Sequence, residues 1–277
     1  MTKTNSTSLN NKNFKTKKRF GQCFLKDQNI LKRIVELSLI KKEDVVLEIG
    51  PGSGALTKEL LKVSNRVIAY EIDKDLIPIL KETFKNNTNL ELINEDILKA
   101  DLSYINNLNE NVISVSNLPY YITSPIIDVF LKKLTNVQKA IFMVQKEVGD
   151  RLSANVNTKD YNAFTILVNY KAKVKKILNV SRTSFNPEPN VDSVVIEIEK
   201  YNRDLKAKDE NFFIKIVESS FKERRKTLIN NLSTILNKNK LKNILEELNL
   251  DERVRAERLT IDEFITLSDR IMEELWV

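Results

Sequence analysis

The stretch Glu48-Ile49-Gly50-Pro51-Gly52-Ser53-Gly54 decides how this chain reads. It closes a short apolar run that starts at Val45 and opens a helical pattern from Ala55 to Val63. Strand, glycine turn and helix in that order form the ligand-binding unit of a parallel α/β sheet. Glycine lets the backbone turn tightly and approach a ligand closely. The spacing is G-x-G-x-G and an acid precedes it. A dinucleotide fingerprint needs G-x-G-x-x-G, with a helix N-terminus facing a pyrophosphate. The arrangement suits a ligand that carries a charged amino acid and an adenosine but no phosphate, as S-adenosyl-L-methionine does. A nicotinamide cofactor, and glycines that serve only a tight turn, are the competing readings.

Strand and helix alternate on either side of this motif. Arg66 to Ile72 reads as a second strand and Leu76 to Phe84 as a second helix. Leu90 to Asn94 and Val112 to Ser116 read as the third and fourth strands, Pro125 to Leu134 as a helix, and Ala140 to Val144 as a fifth strand. This rhythm predicts an α/β fold, a Rossmann-like sheet with helices on both faces. Residues 27–39 predict a leading helix with Ile30, Leu31, Ile34, Val35 and Leu37 as its apolar positions. Val174 to Val180 and Val191 to Ile198 read as two later strands, a hairpin at the sheet edge. Beyond Tyr201 only helical periodicity remains, as in Phe213, Ile216, Val217 and Phe221. The expected organisation is a disordered basic tail over residues 1–13, a catalytic domain over 14–201 and a small all-α domain over 202–277.

Two further motifs fall where such a sheet binds ligands, at strand ends. Glu71, at the end of the second strand, can take both ribose hydroxyls of an adenosine, and Asp96, after the third, can reach an adenine amino group. Asn117-Leu118-Pro119-Tyr120 follows the fourth strand. An adenine amino nitrogen attacks poorly because its lone pair is delocalised into the ring. Acceptors aimed at its two hydrogens favour a more tetrahedral, nucleophilic nitrogen. The Asn117 side-chain oxygen and the Leu118 carbonyl can supply them. Pro119 stiffens the loop, and Tyr120 offers a face for a purine. An ordinary Asn-Pro turn is the bland alternative. In the rigid loop Phe185-Asn186-Pro187-Glu188-Pro189, Phe185 is a candidate for the other face of a flipped base, or else a core-facing ring.

Composition narrows the chemistry. The chain of 277 residues contains no histidine and a single cysteine, Cys23. There is no imidazole base, no Ser-His-Asp triad, no internal disulfide and no multi-cysteine zinc site, and no metal is called for. No strong base is needed for amino methylation, since the proton leaves easily once nitrogen is alkylated. No apolar run approaches the ~18 residues of a membrane span. The polar, lysine-rich start lacks the apolar stretch of a secretory signal, so a cytoplasmic protein is expected. The whole chain is +7, but residues 1–42 carry 11 Lys and Arg against Asp27 and Glu36, a net +9. Lys15, Lys17, Lys18 and Arg19 sit beside Phe20 and Phe24, as a docked, phosphate-contacting arm would.

Taken together, these residues resemble the ribosomal RNA adenine dimethyltransferase family over roughly residues 17–270. The likeness includes Lys18-Arg19-Phe20-Gly21-Gln22, Phe24-Leu25, the glycine loop, Asn117 to Tyr120, Gln145-Lys146-Glu147, Arg151-Leu152, Phe185 to Ser193, Arg224-Arg225-Lys226-Thr227 and Arg255-Ala256-Glu257. It implies a class I methyltransferase fold, S-adenosyl-L-methionine as cofactor, and dimethylation of N6 of two adjacent adenines near the 3′ end of small-subunit ribosomal RNA. It implies a cofactor site at Cys23, Leu25, Gly50, Gly52, Glu71, Ile72, Asp96, Ile97 and Asn117. It implies RNA contacts at Lys17, Lys18, Arg19, Arg224, Arg225 and Lys226. The implied partner is a pre-assembled small ribosomal subunit, met by a monomer. Alternatives within reach are a large-subunit methyltransferase of the macrolide-resistance type and a non-catalytic assembly factor on the same fold. Two departures stand out: Cys23 replaces the family's usual His or Asn, and Tyr161-Asn162 replaces its usual Tyr-Gly.

Overall fold

The protein is described here by a computed structural model that covers residues 24–201 and 207–276. The 1–13 tail, Lys17, Lys18, Arg19 and Cys23 lie outside the described residues, as do residues 202–206 at the start of the expected all-α domain. The catalytic half runs β1 (Phe24–Leu25), α1 (Gln28–Ser38), β2 (Val45–Ile49), α2 (Ala55–Val63), β3 (Arg66–Tyr70), α3 (Leu76–Thr83), β4 (Leu90–Ile93), α4 (Ser103–Asn106) and β5 (Val112–Asn117). It continues with α5 (Thr123–Lys132), β6 (Val137–Gln145), α6 (Lys146–Leu152), α7 (Ala163–Lys171), β7 (Ala172–Val180), β8 (Phe185–Asn186) and β9 (Ser193–Lys200). The C-terminal part holds α8 (Glu210–Ser220), α9 (Leu228–Leu232), α10 (Lys238–Glu247) and α11 (Ile261–Trp276). Among the described residues no helix is long and apolar enough to cross a membrane.

Seven strands form one sheet in the order β4-β3-β2-β5-β6-β9-β7, and β1 pairs with β8 in a separate two-stranded ribbon. The five strands from β4 to β6 run parallel, and β9 is antiparallel to both β6 and β7. The chain builds outward from β2 through β3 to β4, then returns to place β5 on the other flank of β2. That reversal opens a crevice at the carboxyl ends of the strands. Residues show how it opens. The β2–β5 ladder pairs Val45 with Val112 and ends at Leu47 opposite Ser114. Beyond it the Ser116 hydroxyl, not a backbone carbonyl, takes the Ile49 amide at 2.8 Å.

The expected hairpin stands at the sheet edge: β7 and β9 pair antiparallel, with β7 outermost and β9 between it and β6. The burial explains this: Ser193 to Ile196 are all buried, as in a central strand, while β7 exposes Lys173, Lys175 and Lys176. Charged lysines on an edge strand discourage further pairing. Helices α6 and α7 had no counterpart in the apolar periodicity. Asn162 starts α7 with a capping box: its side chain accepts from the Thr165 amide while the Thr165 hydroxyl accepts from the Asn162 amide, both at 3.2 Å. The departure from Tyr-Gly therefore supplies a helix cap.

The sheet divides two apolar cores. Ile126, Ile127 and Phe130 of α5 pack on one face, and Leu31, Ile34, Leu56 and Leu60 of α1 and α2 on the other. A third core joins α8 to α11 with Tyr161, Ile166 and Tyr170 from around α7. The Tyr170 and Phe213 rings lie 4.4 Å apart across that joint.

Candidate active site

Three of the chain's five glycines stand in the loop after β2, and all three adopt left-handed backbone, with φ of 70° at Gly50, 57° at Gly52 and 78° at Gly54. L-residues with a Cβ rarely accept that region. Space is tight as well. A Cβ on Gly54 would come within 2.6 Å of the Phe84 ring, and one on Gly52 within 3.0 Å of the Phe24 ring. Gly52 is therefore bare because the β1 aromatic lies against it.

The loop forms the floor of an open cleft. Leu25, Gly50, Gly52, Glu71, Ile72, Asp96, Ile97, Asn117, Leu118, Pro119 and Tyr120 all line it, from the ends of β1 to β5. These predicted residues, spread over 96 positions of sequence, meet in one place. Glu71 is buried; its Oε2 accepts the Gly52 amide at 3.1 Å and its Oε1 the Asp73 amide at 2.8 Å. Burial raises its carboxyl above the usual range, and those backbone amides pull it back. Asp96 accepts the Leu98 amide at 3.0 Å. The Leu118 amide donates to the Met143 carbonyl at 3.1 Å, which ties the Asn117 loop to β6. Ile72 is 45 % exposed at the cleft rim, where an apolar wall suits an adenine face.

The spacing of the motif did not single out three residues. Glu48 lines the cleft floor, is buried and accepts the Thr57 hydroxyl at 2.7 Å. Burial pushes its carboxyl up to about 8, with Thr57 opposing and Glu71 adding. Its position before Gly50 was the available signal. Tyr121, 51 % exposed, lines the cleft with Asp96 and Glu71; partial burial raises its phenol and their charges add to it. Ser193 bonds Tyr120, hydroxyl to hydroxyl, at 2.7 Å.

Other predicted residues do not converge on the cleft. Phe185 is corrected here: its ring is 2 % exposed, packed in the core with Leu25 and Val180, because β8 pairs with β1 and turns the ring inward. It does not reach the cleft to face a base. Arg224, Arg225 and Lys226 stand exposed in the loop between α8 and α9. Two of them are engaged within the chain: Arg224 donates to the Lys159 carbonyl at 2.6 Å and Lys226 pairs with Glu223 at 2.7 Å. The Asn157 amide donates to the Glu257 carbonyl at 2.8 Å and the Tyr161 hydroxyl to the Leu259 carbonyl at 3.0 Å. The C-terminal helices thus clasp the 153–161 loop through both of their charged motifs.

A mostly parallel sheet with a glycine loop after β2, an acid after β3 and a cleft at the strand reversal defines a class I methyltransferase. Residues 13–273 match the ribosomal RNA adenine dimethylase family, and the chain belongs to that family. Its activity is S-adenosyl-L-methionine-dependent dimethylation of adenine in ribosomal RNA. Ribosomal RNA small subunit methyltransferase A of Bacillus cereus (strain B4264) is 45% identical over 269 residues, covering 94% of this chain and 92% of that protein. The crystal structure of a dimethyladenosine transferase from Plasmodium falciparum matches with a TM-score of 0.76 at 30% identity, over 88% of this chain and 95% of that one. The 23S rRNA methyltransferase ErmE matches with a TM-score of 0.68 at 25% identity, over 90% of this chain and 99% of that one.

Proposed function

We propose that this enzyme places two methyl groups on N6 of each of two adjacent adenines near the 3′ end of small-subunit ribosomal RNA, acting in the cytoplasm as a monomer on a pre-assembled small subunit. The observation that carries this reading is the placement of Asn117-Leu118-Pro119-Tyr120 at the end of β5, on the wall of the cleft that Gly50, Glu71 and Asp96 also line. Bound S-adenosyl-L-methionine would supply an electrophilic methyl group. Glu71 would take its ribose hydroxyls and Asp96 its adenine amino group, with Leu25, Gly50, Gly52, Ile72 and Ile97 shaping the rest of the site and Cys23 beside it. The Asn117 side-chain oxygen and the Leu118 carbonyl would accept the hydrogens of the target amino group. Tyr120 would hold the purine by stacking. After the first methyl the nitrogen keeps one hydrogen, so one acceptor then suffices. Lys17, Lys18, Arg19 and the exposed Arg224, Arg225 and Lys226 would meet phosphates, the last three beside the clasp between the lobes.

The 45% identity to a small-subunit enzyme, against 25% to a large-subunit one, supports the small-subunit substrate. The intact Asn117 to Tyr120 sequence speaks against a non-catalytic assembly factor. The test is incubation with labelled S-adenosyl-L-methionine and undermethylated small subunits, with naked small- and large-subunit RNA as parallel substrates, followed by mass spectrometry of the digested RNA. N6,N6-dimethyladenine at two neighbouring positions of the assembled small subunit is expected. Monomethyladenine alone at full conversion, or label only in large-subunit RNA, would overturn the proposal.

A further inference from the structure

Two aromatic residues follow Pro119, and the structure treats them differently. Tyr120 and Tyr121 both belong to a single 3-10 turn, Tyr120–Ile122. So short an element has no core of its own to hold a ring. Tyr121 is half exposed, and its hydroxyl has no hydrogen-bond partner among the described residues. The Tyr120 hydroxyl instead lies 2.7 Å from Ser193 Oγ, a residue 73 positions later. Ser193 is 1% exposed and opens β9. Its backbone stands opposite Gln145 of β6 on one side and Val180 of β7 on the other, so three strands fix where its hydroxyl sits. From the Phe185 to Ser193 segment, then, the cleft receives no aromatic ring. It receives the hydroxyl at the far end of the segment, through Tyr120.

We infer that Ser193 is a positioning residue for methyl transfer: its hydroxyl ties the far end of the Asn117-Leu118-Pro119-Tyr120 loop to the sheet and holds the Tyr120 ring where it faces the adenine. The inference rests on the proposed role of Tyr120 as the purine's stacking surface. A part-buried hydroxyl pair serves this better than packing alone. A hydrogen bond fixes the far edge of the ring in one direction, and the residue still lines the cleft. Neighbouring bonds hold the other end of the turn, where the Thr123 hydroxyl donates to the Pro119 and Tyr120 carbonyls at 3.3 Å each. Losing the Ser193 bond would remove the hold that β9 has on the far edge of the ring. Stacking would then be less well prepared when the amino group attacks, and the cofactor half of the cleft would be untouched.

The test is a double-mutant cycle of Tyr120→Phe and Ser193→Ala, assayed at saturating cofactor on undermethylated small subunits. Each single variant should lower kcat by about five- to tenfold, the worth of one neutral hydrogen bond. The double variant should fall no further than the weaker single, because both remove the same bond. Cofactor affinity by calorimetry should match the wild type in all three. A wild-type kcat in either single variant, or losses that multiply in the double, would overturn the inference. If Ser193→Ala does not fold, Tyr120→Phe decides alone, since it removes the bond without touching β9. Tyr120→Ala separates the two levels of the argument. At wild-type rate it would remove Tyr120 as the stacking surface; impaired beside an intact Tyr120→Phe, it would leave stacking in place and remove only Ser193.

Discussion

The two walls of the cleft are built in opposite ways. The proposed cofactor wall comes from short segments: the glycine turn after β2, Glu71 after β3 and Asp96 after β4. Its carboxylates are held over short stretches of chain, Glu48 by Thr57 across nine positions and Glu71 by the Asp73 amide across two and the Gly52 amide across 19. The target wall is assembled across the chain, with Tyr120 held by Ser193 and the Leu118 amide by the Met143 carbonyl. A wall of local turns forms whenever its strands are in register. A wall of distant contacts depends on β9 having entered between β6 and β7. The first suits a small ligand used by many enzymes of this class, the second a particular base.

The largest effect should come from a pair of substitutions that asks whether the walls act separately. Asn117→Ala should cut kcat by about 10²–10³, the usual cost of losing a preorganised polar contact to the reacting group, while cofactor affinity by calorimetry changes far less. Glu71→Ala should do the reverse, weakening S-adenosyl-L-methionine binding by roughly 1–3 kcal/mol through lost charged hydrogen bonds. Asn117→Ala that weakens cofactor binding as much as turnover would show one cooperative site, and the comparison would fail.

Glu48 sharpens the cofactor side. Its carboxyl is raised from 4.5 to about 8 by burial, so the folded protein holds a proton there that the unfolded chain releases. Such a group contributes stability that is full below about 4.5 and is lost as pH rises toward about 8. Glu48→Gln, neutral throughout, should therefore flatten the fall in Tm between pH 5 and 8 that the wild type shows without cofactor. Thermal melts across that range decide it. Parallel curves for the two proteins would mean that Glu48 is charged in the fold and that Thr57 and solvent in the cleft suffice to carry it.

The same division sets how much could be read from the sequence. The parallel core was legible because β2 and β5 are apolar runs bounded by turn signals, and the meeting of Gly50, Glu71 and Asp96 in one cleft because each sits within three residues of its strand's end. β7 and β9 read as a hairpin, but which of the two joins the sheet did not, because nothing local distinguishes a central antiparallel strand from an edge one; the partner β6 lies some 50 residues away and only its pairing reveals the position. Phe185 read as a base-facing ring because rigid proline loops display aromatics. What buries it is a two-residue ribbon with β1, too short to carry a periodic signal. α7 was invisible since its residues are apolar on nearly all sides, serving the sheet with one face and the C-terminal core with the other.

The smallest effect expected tests that last joint. Asn162 departs from the family's usual glycine, and its capping box is a purely local device at the start of α7. The loop before it is held by distant contacts: Arg224 on the Lys159 carbonyl, the Asn157 amide on the Glu257 carbonyl and the Tyr161 hydroxyl on the Leu259 carbonyl. If cap and clasp are independent, Asn162→Ala should cost about 1 kcal/mol of stability, the ordinary worth of an N-cap, and Asn162→Gly only a few tenths. Arg224→Ala should then add its own loss without interaction, since sites with no shared partner add. Denaturant unfolding of the two single variants and the double measures all three terms. A double variant that loses clearly more than the sum would mean that the cap pre-forms the loop the C-terminal helices grip. The glycine-to-asparagine change would then act on how the lobes are held together, beyond the first turn of one helix.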